Sequence, residues 1–213
     1  MTSVRPRVLG AVIASAVIAL GACSSSDGEA KDSGVAVRAG APGEPNQKID
    51  KSDVPSGEKS FNDADKDFVE MMVPHHHQAV EMAALAKKYA KDERVGEFAA
   101  RIGDAQRGEI DAMQAWLEAR KLPKAPLKAT GHHAMHMQGM LTEADFAKLG
   151  TLRGNAFDTF YVKKMIAHHE GALAMADAAL NEGTDAVNRT FAADVATTQT
   201  VEISRLKGIL KRL

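Results

Sequence analysis

"MMVPHHHQAVEMA", Met71 to Ala83, and "KMIAHHEGALAMA", Lys164 to Ala176, are two spellings of one pattern. In each, a methionine precedes a His-His pair by three residues, and an alanine and a second methionine follow at further steps of three. Steps of three and four trace one face of an α-helix, so both stretches read as helices with imidazoles and thioethers on the inward stripe. Histidine is costly on such a stripe unless something there uses it.

The likeness extends well beyond the histidines. Shifted by 93 residues, the chain matches itself without a gap from Asp65 on Asp158 to Leu117 on Leu210. Phe98-Ala99-Ala100 falls on Phe191-Ala192-Ala193, Gln106 on Gln199, and Glu109-Ile110 on Glu202-Ile203. Shared alanine and leucine follow from helical composition; shared His, Met, Gln and Glu do not. The match reads as an internal duplication, each copy a helical hairpin. In the first copy Lys91-Asp92 interrupts the pattern, a second helix runs from Val95 to Leu117, and Pro123 and Pro126 end it. In the second, Asn181-Glu182-Gly183 offers a C-cap and Thr184 an N-cap for the last helix. Two hairpins with apolar stripes bury each other most simply as an all-α four-helix bundle, and strand signals are absent. Pro74 breaks the rule locally, predicting either a kink or a late helix start.

Between the hairpins lies "GHHAMHMQGMLTEADFAKL", Gly131 to Leu149. Thr142 with Asp145 three residues on predicts a capping box and a short connecting helix. The domain therefore spans 61–213, with repeat 1 over about 61–121, a Met/His-rich linker over 122–150 and repeat 2 over about 154–213. Asp65 and Asp158, near helix starts, suit capping and dipole roles.

The motif Met-x-Pro-His-His-x-x-Ala-x-x-Met, its echo at Met165 to Met175, the "HMQGML" before the second hairpin and Phe157 leading into Asp158 resemble the "domain of unknown function 305" family. The resemblance covers about Phe61 to Leu213. It implies a ferritin-like four-helix bundle, and some members are associated with copper binding and tolerance outside the cytoplasm. His77 departs from the motif, since the second copy has Glu170, and the resemblance gives it no ligand role.

Donor chemistry points to the same metal. Thioether with imidazole selects copper, above all Cu(I), whereas carboxylate sets select Mg, Ca, Mn or iron. An ordered site is expected from His75, His76, His168, His169, Met72 and Met165, with Glu109 and Glu202 as ligands or as orienters of the imidazoles. Gln106 and Gln199, one turn away, suit buried polar groups that need partners. A labile chelator is expected from His132, His133, Met135, His136, Met137 and Met140. Met82, Met113 and Met175 read as core filler.

At the N-terminus, Arg5 and Arg7 precede an apolar run, Val8 to Leu20, too short for a membrane span, and "LGAC" leads into Cys23, the one cysteine. Residues 1–22 read as a lipoprotein signal peptide, with Cys23 lipidated. Residues 23–60 read as that anchor plus a flexible tether rich in Ser, Gly, Pro and charge. The setting is then extracytoplasmic, on a bacterial cell membrane. Without the two leader arginines the chain has 25 basic and 28 acidic residues, a formal charge of −3, with no basic face for nucleic acid. No thiol, nucleophile motif or glycine-rich phosphate loop remains in the domain.

Three functions stay open at this point. One is a lipid-anchored copper-binding protein for sequestration or homeostasis. Another is a ferritin-like redox enzyme using iron or manganese, although the Glu-x-x-His pairs of di-iron bundles are missing. The last is a metal-free surface interaction module. A protein partner is not identified, and a homo-oligomer is compatible with each reading.

Overall fold

The structure, a computed structural model, describes residues 35–38, 47–50, 61–129 and 137–213. The expected signal peptide, Cys23, most of the tether, and His132, His133, Met135 and His136 lie outside the described residues. Contacts divide the chain into two units, Met1–Ser56 and Gly57–Leu213. In the first, β1 (Val35–Arg38) pairs antiparallel with β2 (Gln47–Asp50), Val35 opposite Asp50. This short ladder lies within the stretch read as a tether, outside the helical domain.

The second unit is helical: α1 (Asp63–Tyr89), α2 (Glu93–Ala119), a short α3 (Glu143–Thr151), α4 (Gly154–Glu182) and α5 (Ala186–Leu210). The hairpins α1–α2 and α4–α5 pack through α1 against α4 to form the expected four-helix bundle, with α3 as the short connecting helix. The start of α1 shares a buried cluster with the end of α4: Phe68, Val69 and Met72 with Ala172, Met175 and Ala176. The end of α1 meets the start of α4: Met82, Ala83 and Ala86 with Phe157, Tyr161 and Met165. The two inner helices are therefore antiparallel. Each buried Phe, Leu, Ile or Met contributes about 1.5–3 kcal/mol by leaving water, and these two clusters hold the hairpins together.

Each hairpin also closes the turn of the other. Asp158, in α4, accepts from the backbone N–H groups of Lys91 (3.0 Å) and Asp92 (2.8 Å) at the α1–α2 turn. Asp65, in α1, does the same for Thr184 (2.9 Å) and Asp185 (3.0 Å) at the α4–α5 turn. Both carboxylates are fully buried. They are caps, as expected, but caps of the opposite hairpin. Asp65 also completes a capping box with Asn62 at the start of its own helix. Helix starts leave N–H groups without intrahelical partners, and a buried turn has no water to satisfy them, so a carboxylate must.

Three local expectations are corrected. Asp185, not Thr184, is the N-cap of α5, accepting from the Asn188 N–H, because Thr184 spends both its N–H and its hydroxyl on Asp65. The end of α2 comes before the prolines, where Lys121 turns left-handed at φ 57°. Pro74 neither starts nor delays α1, which begins eleven residues earlier and continues through it. Gly183 is the C-cap of α4, as expected, at an ordinary φ of −72°. Glycine is required there because a Cβ would lie 2.5 Å from Asp65 Oδ1.

Candidate metal centre

In each long helix the apolar stripe is interrupted near the middle: at His75-His76, Gln106, His168-His169 and Gln199. All six side chains are buried, and the four imidazoles are wholly inaccessible. They form a polar layer between the two apolar clusters. Across the antiparallel α1–α4 contact the rings of His75 and His168 face each other, centroids 3.8 Å apart and planes tilted by 37°. His76 and His169 flank that pair, each about 6.3–6.4 Å from its neighbour in sequence.

Each flanking histidine is held by the carboxylate expected to accompany it. His76 Nε2–H donates to Glu109 Oε2 at 2.6 Å, and His169 Nε2–H to Glu202 Oε2 at 2.7 Å. His75 Nε2–H donates to the Gln138 carbonyl at 3.1 Å. A carbonyl or carboxylate oxygen accepts only, so the ring proton sits on Nε2 in all three. The lone pair is left on Nδ1, and none of those Nδ1 atoms has a protein hydrogen-bond partner. Neither ring nitrogen of His168 has one. Glu109 and Glu202 thus fix the orientation of the His76 and His169 rings.

Burial is the main reason that the facing pair, His75 and His168, resists charge. It pushes His75 down to about 3, with the neighbouring His76 acting in the same direction and the Gln138 hydrogen bond opposing. Burial likewise holds His168 well below the usual imidazole range, reinforced by His75, His169 and His76. Two rings stacked at 3.8 Å in a dry interior can coexist only as neutral groups, the form that binds metals.

Met72 and Met165 are fully buried, Met72 in one apolar cluster and Met165 in the other. Met82, Met113 and Met175 fill core space, as expected. Met137 is buried and Met140 half-buried against the bundle. Gln106 and Gln199 differ from expectation: their amides are buried and bond no protein group. Among the described residues, no three His, Cys, Asp or Glu side chains converge as a preformed metal-binding group. The buried donors come instead as a facing histidine pair with a carboxylate-held histidine on either side.

The end of the Met/His-rich linker is strapped over this layer, a feature that the motif reading did not anticipate. Gln78 accepts from the Leu141 N–H at 2.8 Å and donates to its carbonyl at 3.0 Å. On the other side the strap presses on α4 at Gly171, where a Cβ would lie 1.9 Å from the Gln138 oxygen. Gly139 makes the bend, at φ 79°. The 93-residue shift sets Gln78 on Gly171, so one copy reaches for the strap while the other makes room. Glycine inside a helix costs about 1 kcal/mol against alanine, and that cost was the available sign. Gly171→Ala should destabilise the domain by about 1–3 kcal/mol and speed amide exchange at Gln138 to Leu141. Unchanged exchange in that stretch would show that the strap can yield.

A family model described as domain of unknown function (DUF305) matches residues 65–210. The chain belongs to the DUF305 family. A DUF305 protein of Streptomyces coelicolor is 33% identical, with a TM-score of 0.64 over 70% of this chain and 91% of that one. A DUF305 fragment from Deinococcus radiodurans is 31% identical, with a TM-score of 0.65 over 71% and 98%. CopM in its Cu(II)-bound form is 26% identical, with a TM-score of 0.60 over 70% and 96%; its Cu(I)- and silver-bound forms are also similar. In sequence, 58 residues, 27% of the chain, are 36% identical to the uncharacterized protein L153 of Acanthamoeba polyphaga mimivirus and span 38% of that protein. These likenesses bear out the expected family.

Proposed function

We propose that this DUF305 protein is a lipid-anchored, extracytoplasmic copper-binding protein that sequesters the ion, copper being its cargo. The observation that carries the reading is the set of Nδ1 lone pairs in the histidine layer. Three imidazoles donate their N–H to a carboxylate or carbonyl, and their second nitrogen faces a buried interior without a partner. Orphaned buried nitrogens are costly, and a metal ion is the ligand that such pre-set tautomers suit. With Met72 and Met165 nearby in sequence, the donors are soft to borderline, fitting copper above iron or manganese. The family likeness to CopM, crystallised with Cu(I), Cu(II) and silver, supports the same choice. The location rests on Arg5, Arg7, the short apolar run and Cys23. It is supported by the Streptomyces relative, which is described as secreted. Among the described residues no helix is long and apolar enough to cross a membrane.

Chelator competition for Cu(I) tests the reading. Replacing His132, His133 and His136 by glutamine should leave tight binding intact, whereas replacing His75, His76, His168 and His169 should lower affinity at least about 100-fold. Equal affinity in both variants would overturn a core site. A preference for iron over copper would favour the redox reading instead.

A further inference from the structure

The third histidine of the run has no place in the buried layer. His77 points away from it into a surface cavity of about 580 Å³ between α1, the segment after α2 and the strap. Glu81, Met140, Glu143 and Lys128 line the same cavity, so its charges are two carboxylates and one ammonium. His77 Nδ1 lies 3.9 Å from Glu81 Oε2, one helical turn on, and makes no hydrogen bond.

That separation is too long for a hydrogen bond. It is close to the distance between two donors of one ion: with metal–ligand bonds of about 2.0–2.2 Å, neighbouring donors stand about 3–3.5 Å apart. A small rotation of the exposed Glu81 closes the difference, since residues i and i+4 share one helix face. The second hairpin has no counterpart, because the shift sets His77 on Glu170 and Glu81 on Ala174. Glu170 is already engaged, accepting from Lys207 at 3.2 Å.

We propose that His77 and Glu81, with solvent completing the coordination, form an outer site for Cu(II). The chemistry separates it from the core. One imidazole with a carboxylate in a wet cavity suits the borderline divalent ion, whereas uncharged imidazoles and thioethers in a dry layer suit Cu(I). The outer site rests on the reading of this protein as a copper binder but uses none of the four core histidines.

The test uses the full chain with His132, His133 and His136 replaced by glutamine, which leaves His77 as the one imidazole outside the core. Titration with Cu(II), followed by electron paramagnetic resonance, should give a signal split by a single imidazole nitrogen. His77→Gln should abolish that splitting, and Glu81→Gln should weaken Cu(II) binding about 10- to 100-fold. Cu(I) competition on the same variants should be unchanged. A Cu(II) signal that persists in His77→Gln, or that shows more than one nitrogen, would overturn the outer site while leaving the core reading intact. Loss of Cu(I) binding from the four-histidine variant alone would support the core and leave the His77 signal in place. Failure of the starting protein to bind either ion would defeat both.

Discussion

Replacing Asp65 with alanine should lower the melting temperature of the domain by about 10 °C. Its carboxylate accepts from the N–H groups of Asn62, Thr184 and Asp185, the Thr184 hydroxyl and the Asn188 amide, all within 3.2 Å. Burial opposes ionisation of this group, but those donors outweigh it and hold the carboxyl below its usual range. Alanine would leave several buried donors without a partner, at about 1–3 kcal/mol each. Relaxation of the turn recovers part of this, so a net loss of about 3–5 kcal/mol is expected, at about 2–4 °C per kcal/mol for a domain of this size. Damage should spread to the start of α5, where Asp185 accepts from Trp116 Nε1 (3.1 Å) and from Arg120 (2.5 Å). Among the described residues Asp158 accepts from two N–H groups, so Asp158→Ala should cost roughly half as much. Thermal unfolding of both variants gives the comparison. Equal losses would mean that the cross-hairpin cap, and not the wider network, sets the cost.

Acid should unfold the metal-free protein well above the range in which carboxylates protonate. His75 is held at about 3 by burial, while the unfolded chain binds a proton near 6.5. Above pH 6.5 both states are neutral at this residue and stability does not depend on it. Below 6.5 the unfolded state takes up a proton that the folded state refuses, so stability falls with pH until about 3. His75 alone then costs about 3 kcal/mol by pH 4.5, and His168, depressed by the same burial, acts in the same direction. Asp65 adds to the loss only at lower pH, because a depressed carboxyl contributes stability above its unfolded value and loses it as pH falls through its folded one. Urea unfolding between pH 7 and 4.5 checks this. His75→Gln should remove up to about 1.4 kcal/mol per pH unit of the slope. A stability that stays flat across that window would mean that the layer accepts protons, and the neutral-imidazole argument would fail.

Much of the candidate centre could be read from residue spacing. The His-His pairs, their helical phase and the matched Glu109 and Glu202 are local in sequence, and the 93-residue match sets each of them on a counterpart in the other hairpin. His76 with Glu109 and His169 with Glu202 bear this out at nearly the same distance. Gln106 and Gln199 were harder to read, because whether a buried amide finds a partner depends on neighbours from other helices.

The sequence by itself determined the helices, their apolar stripes and the hairpin unit, because periodicity and turn chemistry act over a few residues. It also carried the donor set. Only the tertiary structure decided that α1 and α4 run antiparallel, so that His75 meets His168 rather than a carboxylate. It also decided that Asp65 and Asp158 cap the opposite hairpin and that Gln78 and Gly171 together hold the strap over the histidines. The physical reason is the range of the interactions. The contacts made by Gln78, Asp65 and Asp158 join residues 63 to 123 positions apart, and they form only once two separately encoded hairpins have buried their faces against each other.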